Sequence, residues 1–132
     1  MSVGSRRESR ERALSLLYEA EVKEMAPADV VAEQPMAPDP FVADLVIGVG
    51  THQDRIDGLI SAYAVDWALD RMPAVDRNLL RLAVYELLER PDVPLGAVIS
   101  EAVELAKRYS TDESGRFVNG VLSSVAAEVR PG

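Results

Sequence analysis

Apolar residues recur at helical spacing along most of the chain, and they are densest between residues 67 and 88. From residue 76 onward Leu80, Val84 and Leu87 follow the i, i+4, i+7 pattern of one helix face. Neighbouring leucines and alanines widen that face to well over half of the circumference. Because a helix that is apolar on most sides must be surrounded, the pattern predicts a central helix over residues 76–89.

Other stretches with the same periodicity predict helices that pack around this central one. Residues 26–40 separate two of them, since this segment holds four prolines and few large apolar side chains, with room for one short turn over residues 28–33. Short polar side chains mark the predicted helix starts. The candidate N-caps are Asp39, Thr51, Asp76 and Ser114.

The chain shows no strand-period alternation, no hairpin turn and no phosphate-loop glycine pattern. The sequence therefore predicts an all-α fold of about seven helices, in two three-helix subdomains around the central apolar helix. We expect one domain over residues 1–132, with subdomains of about 1–65 and 66–132. Trp67 stands at the junction, where its large apolar ring is expected to anchor the two halves.

The composition excludes several kinds of chemistry. The 132 residues are 48% hydrophobic, which is ample for one core, and none is a cysteine, so disulfides, thiolate nucleophiles and cysteine zinc sites are excluded. A single histidine, His52, leaves little for imidazole catalysis or metal binding. No apolar run approaches the roughly 20 residues of a membrane span, and no signal-peptide core follows the N-terminus. We expect a cytoplasmic protein that holds no metal or cofactor and does not contact a membrane.

Charge is distributed unevenly along the chain. The formal net charge is −8, yet residues 1–12 contain four arginines against two glutamates. Residues 19–70 contain eleven acidic residues against Lys23 and Arg55. Such a molecule can present a basic edge to RNA while its acidic face meets a basic protein. The alternative is that the arginines are solvating charges interleaved with Glu8 and Glu11.

Four segments resemble one protein family in sequence and in order: RRESRERALSLLYEAEV, DRNLLRLAVYELL, VISEAVELAKRYS and SGRFVNGVL. They resemble the NusB family of bacterial transcription antitermination factors over nearly the whole chain, least in the proline-rich loop. The resemblance implies an all-helical protein, not an enzyme, that binds the boxA element of ribosomal RNA leader transcripts as single-stranded RNA. It also implies that the protein acts with NusE, a small-subunit ribosomal protein, in the transcription elongation complex.

The resemblance implies one group of RNA-contacting residues near the N-terminus. Arg6, Arg7 and Arg10 match the family's arginine motif, and Tyr18 matches its aromatic position. Glu8 departs from the motif, because an acidic residue stands where relatives often continue the basic run. We therefore expect RNA binding to be weak without the ribosomal partner.

A second RNA-proximal group and a partner surface follow from the same resemblance. Glu113, Arg116 and Phe117 match the family's patch around the start of the last helix, although the spacing of Phe117 also suits the core. Asp76 and Arg81 match positions near the partner interface, where both are expected to be exposed. An acidic surface would complement a basic ribosomal protein.

Two other functions remain compatible with the sequence. One is a protein-binding scaffold with little RNA affinity, supported by Glu8 and by the net charge of −8. The other is a detached RNA-binding module related to the N-terminal domains of RNA methyltransferases. A hydrolase built on Asp66 and Asp70 is remote, since neither belongs to a recognisable acid–base arrangement. Both a monomer and a homodimer are compatible with the apolar helix faces.

Overall fold

The computed structural model describes residues 3–131, with side chains from residue 6 onward. Seven α-helices and one 3-10 turn are present in this part of the chain, and no strand is, which confirms the predicted all-α class. None of these helices is both long and apolar enough to cross a membrane. The helices are α1 (Val3–Lys23), α2 (Pro27–Glu33), α3 (Pro40–Thr51), α4 (Gln53–Tyr63), α5 (Ala74–Glu89), α6 (Leu95–Tyr109) and α7 (Asp112–Val129).

Helix α5 is the centre of the bundle, as its apolar circumference predicted. It packs against α1, α3, α4, α6 and α7. Leu80 and Val84 are completely buried, and Leu79, Leu82 and Leu87 are nearly so. Burying one such side chain contributes about 1.5–3 kcal/mol, so α5 supplies a large part of the core. The other helices are therefore positioned by how each packs on α5.

Gly48 has no side chain, and this lets α3 approach α5 closely. A Cβ atom added to Gly48 would lie 2.2 Å from Cζ of Tyr85, a distance that no packed side chain tolerates. Tyr85 is buried, and its hydroxyl donates a hydrogen bond of 2.8 Å to Asp44. Burial first, and then the neighbouring Asp44 carboxylate, raises the pKa of the Tyr85 phenol, so this hydroxyl remains a donor. Gly48 is thus required for the packing of α3 on the central helix.

The predicted start of α3 is confirmed. The side chain of Asp39 accepts a hydrogen bond of 2.7 Å from the backbone N–H of Phe41, and Pro40 occupies the first helical position. The short helix α2 likewise confirms the turn that was predicted within the proline-rich segment. Both helix starts can be predicted from the local sequence, because an N-cap and a proline at the first position act on the helical turn that follows them.

Three other predicted N-caps are wrong. Thr51 is the last residue of α3, and its hydroxyl donates to the carbonyl of Ile47 at 3.0 Å instead of capping α4. Asp76 lies in the first turn of α5, which begins at Ala74 directly after a proline. Ser114 lies in the first turn of α7 and donates its backbone N–H to the side chain of the actual cap, Thr111.

Trp67 lies between the end of α4 and α7 and is half-buried. Its ring meets that of Phe117 edge-on, with centroids 5.2 Å apart. Both rings pack against the buried core from its margin. The division into subdomains near residue 65 stays a prediction, since α4 also packs directly on α5 and α7.

Candidate nucleic-acid interface

Arg10 is turned into the protein, where it binds the central helix. Its side chain donates from Nε and Nη2 to the two carboxylate oxygens of Glu86, at 2.9 and 2.7 Å. Arg10 is 6% exposed and Glu86 is 1% exposed. The helical repeat explains this orientation, because Arg10 is four and seven residues before the buried Leu14 and Leu17. Arg10 is therefore engaged inside the protein, and its contact with RNA stays a prediction that this burial argues against.

Arg7 also binds a carboxylate, but at the surface. Its Nε and Nη2 donate to the two oxygens of Glu101 in α6, at 2.8 and 3.1 Å. The side chain of Arg7 is 36% exposed, against 11% for Glu101. The hydrogen bonds from Arg7, more than any other cause, lower the pKa of Glu101, and the same contact raises the pKa of Arg7. Arg7 is thus held in place while part of it faces solvent.

Arg6 lies against an aromatic ring. Its guanidinium carbon is 3.8 Å from the centroid of Phe41, and Arg90 approaches the same ring at 5.0 Å. Such cation–π contact is typical of arginine and orders the side chain without consuming its hydrogen-bond donors. Arg90 pairs with Asp44 and Asp92, whereas Arg6 forms no ion pair with the described carboxylates. Nη1 of Arg6 is buried and has no hydrogen-bond partner, so part of this half-buried guanidinium is closed to an external anion.

Tyr18 borders an apolar groove between α1 and the start of α5. It is 53% exposed, and Tyr109 on the opposite side is 48% exposed. The groove has a volume of about 270 Å³ and its lining is largely apolar. The hydroxyl of Tyr109 donates to the carboxylate of Glu11, which fixes one side of the groove. Leu14 and Val75 complete its floor, so the surroundings of Tyr18 suit an apolar side chain better than a phosphate.

The residues predicted at the start of α7 have unlike environments. Glu113 and Arg116 are exposed, and Phe117 is half-buried against Trp67. Glu113 lies in the first helical turn, where a carboxylate is favoured by the helix dipole. Arg116 and Phe117 both line an open cleft of about 500 Å³ beside Tyr63. Of these three predicted residues, Arg116 is the one available to an anion.

Asp76 is not at the surface, so the expectation that it is an exposed partner contact is wrong. Its side chain is 0% exposed, and it accepts a hydrogen bond of 2.8 Å from the hydroxyl of Ser114. This contact joins the first turns of α5 and α7. A residue that looked like a helix cap in the sequence thus acts in tertiary packing, because α7 begins directly over it.

Arg81 is likewise engaged within the protein, which contradicts its expected exposure. Its side chain is 13% exposed. It donates to both carboxylate oxygens of Asp57 in α4, at 2.8 and 3.0 Å, and to Glu21 in α1 at 3.1 Å. Arg77 binds Glu21 as well, and its hydrogen bond is the main cause that lowers the pKa of Glu21. Arg81 therefore links three helices.

The structure brings Arg7 next to two cations that were not predicted as candidates. Lys107 and Arg108 lie in the last turn of α6 and are exposed, and with Arg7 they line a cleft of about 310 Å³. Arg108 pairs with Glu11 at 3.5 Å. The sequence pattern that could have identified these two cations is two adjacent basic residues at the end of an amphipathic helix.

The fold and the exposed cations are those of an all-helical protein that has basic residues along one edge and a negative net charge. The sequence profile described as the NusB family matches residues 7–127. The transcription antitermination protein NusB of Salinispora arenicola is 49% identical over 129 residues, which cover 92% of this chain and 95% of that protein. Its counterpart in Kineococcus radiotolerans is 47% identical over 128 residues, 94% of each chain. The chain belongs to the NusB family.

Solved structures agree with this assignment. T. maritima NusB superposes with a TM-score of 0.85 at 38% identity, over 96% of this chain and 93% of that one. A chain from the crystal structure of antitermination factors NusB and NusE in complex with dsRNA superposes with a TM-score of 0.80 at 30% identity, over 96% and 99%. The resemblance that four sequence segments indicated is therefore confirmed.

The buried ion pair between Arg10 and Glu86 generates a prediction about stability. Arg10→Ala should lower the free energy of unfolding by about 3–5 kcal/mol, because it leaves the Glu86 carboxylate buried without a partner. Urea unfolding followed by circular dichroism measures this loss. As a control, Lys23→Ala removes a cation from an exposed i, i+4 pair with Glu19 on the same helix, and its unfolding midpoint should stay close to that of the unaltered protein. Equal midpoints for the two variants would show that the Arg10 pair is not a stabilising contact.

Proposed function

We propose that this protein is a transcription antitermination factor that binds the boxA element of ribosomal RNA leader transcripts as single-stranded RNA. It does so together with the ribosomal protein NusE, within a transcription elongation complex. The observation that most supports the proposal is the similarity, over 96% of the chain, to a protein from a crystal structure of NusB and NusE with dsRNA. The positions of the cations in this chain agree with it.

The RNA-binding residues in this proposal are Arg6, Arg7 and Arg116. Arg6 and Arg7 are half-buried and Arg116 is exposed, whereas Arg10 is buried. A guanidinium can pair with phosphate oxygens and stack on an unpaired base, which suits single-stranded RNA. Glu8 is exposed close to them in the sequence, so its charge weakens phosphate binding. RNA affinity is accordingly low until the partner contributes contacts of its own.

The partner surface in this proposal is the apolar groove beside Tyr18, in place of Asp76 and Arg81. Tyr18 and Tyr109 are exposed aromatic side chains, a residue type that is enriched at the centre of protein interfaces. The acidic residues of this chain would attract a basic ribosomal protein and speed its association. Tyr18 therefore moves from the RNA group to the partner group.

The RNA proposal is tested with a variant in which Arg6 and Arg7 are both alanine. Two phosphate contacts on a single strand contribute about 1.4 to the slope of log affinity against log salt, at about 0.7 each. The slope should fall by that amount and the affinity for boxA RNA should fall with it, measured by fluorescence anisotropy with NusE present. A matched control replaces Arg55 and Arg71, two exposed arginines elsewhere, and should change little. If both double variants bound as the unaltered protein does, the scaffold with little RNA affinity would be the better description.

The partner surface is tested with Tyr18→Ala. Truncating a central aromatic side chain of an interface costs about 2 kcal/mol or more, so NusE should bind at least about tenfold more weakly by calorimetry. Val65→Ala is the control, because Val65 is 80% exposed but lies outside the groove. Binding of boxA RNA without NusE should be unaffected by Tyr18→Ala. Should Tyr18→Ala weaken RNA binding alone and spare NusE binding, Tyr18 belongs to the RNA group after all.

A further inference from the structure

Arg7 binds Glu101 through one edge only. An arginine side chain offers two hydrogen-bonding edges: the side edge with Nε and one amino group, and the end with both amino groups. Glu101 occupies the side edge, through Nε at 2.8 Å and Nη2 at 3.1 Å. The other amino group, Nη1, has no hydrogen-bond partner among the described residues. The end of the guanidinium is therefore open to a second anion while Glu101 stays bound.

The open end of Arg7 belongs to a cleft that carries further positive charge. Arg7, Lys107 and Arg108 line it together with Glu104. Arg7 is paired with Glu101 and Arg108 with Glu11, and Lys107 forms no ion pair with the described carboxylates. The methylene stem of Lys107 lies against Gly115 at the start of α7, where an added Cβ would be 2.8 Å from the Lys107 Cγ atom. This contact holds the stem of Lys107 against the start of α7. A phosphodiester is the anion that such a surface cleft between helices would take from RNA.

Glu101 is well placed to remain ionised. Its side chain is 11% exposed, and besides Arg7 the buried Arg10 attracts it and lowers its pKa. Arg10 itself is anchored to Glu86, so Glu101 is left to bind Arg7. A carboxylate in this position restrains the long Arg7 side chain before any ligand arrives, so less side-chain entropy is lost when the ligand binds.

We propose that the cleft between α1 and α6 binds an RNA phosphodiester, that Lys107 and Arg108 are additional phosphate contacts, and that Glu101 is the positioning residue that presents the end of Arg7 to it. The inference rests on the proposed function and deepens it. Its distinctive consequence is that a carboxylate promotes the binding of a polyanion. Net charge alone predicts the opposite effect, because removing an acidic group should strengthen RNA binding.

The test compares two acids on the same helix. Glu101→Gln should weaken binding of boxA RNA roughly fivefold, the cost of ordering one freed side chain. Glu104→Gln removes the same charge three residues away, from the lining of the same cleft, but Glu104 forms no hydrogen bond with Arg7. Its affinity should be unchanged or slightly higher. Full-length protein with NusE present is titrated into labelled RNA, and circular dichroism checks that each variant is folded.

A double-mutant cycle separates positioning from a loss of structure. In an Arg7→Ala background Glu101→Gln should cause no further loss of affinity, since the residue that it positions is gone. A variant with Lys107→Gln and Arg108→Gln should lower the salt slope by about 1.4, for two contacts at about 0.7 each.

Several outcomes would overturn the inference while the proposed function stands: equal affinities for the Glu101 and Glu104 variants, tighter binding by Glu101→Gln, or an unchanged salt slope without Lys107 and Arg108. If instead those two cations affected NusE binding alone, the cleft would be a protein contact. If the unaltered protein with NusE bound no boxA RNA, both the inference and the proposed function would fall.

Discussion

The buried ion pair between Arg10 and Glu86 is the contact on which the arrangement of the basic edge depends. Taking two charges out of water is costly, and the cost is offset only where the geometry satisfies both groups. Here two hydrogen bonds of 2.9 and 2.7 Å join the side edge of the guanidinium to both carboxylate oxygens. Because Glu86 lies on the central helix α5, this pair sets how α1 is rotated about its own axis. Arg6 and Arg7 then fall at the margin of the bundle, where solvent reaches them.

The arginines of α1 show how an acidic protein can keep an RNA-binding edge. Each has a different internal contact: Arg6 lies on Phe41, Arg7 on Glu101 and Arg10 on Glu86. Arg7 is the partly exposed member of its pair, whereas Arg10 and Glu86 are both buried. The glutamates that hold Arg7 and Arg10 also cancel part of their charge, so these pairs supply order more than positive potential.

Much of the fold could be predicted from the sequence because its causes are local or periodic. The apolar repeat of Leu80 and Val84 indicated the central helix, and the Asp39–Pro40 pair indicated the start of α3. Asp76 and Arg81 could not be placed in this way, because their burial depends on α7 and α4 packing beside them. The local sequence around a polar residue at a helix start is the same whether water or another helix covers that residue. The burial of Arg10 could have been predicted, since its spacing from Leu14 and Leu17 puts it on the buried face. The family resemblance implied an RNA contact instead.

The most direct test of this account is to observe the arginine side chains themselves. In ¹⁵N-labelled protein, the Nε–H groups of Arg7 and Arg10 both donate to carboxylates and should give separate NMR signals. The Arg10 signal should exchange slowly with water and keep its position when boxA RNA and NusE are added. The Arg7 signal should shift and become better protected. A large RNA-induced shift of the Arg10 signal, with the Arg7 signal unmoved, would contradict the assignment of Arg10 as an internal anchor and of Arg7 as the RNA contact.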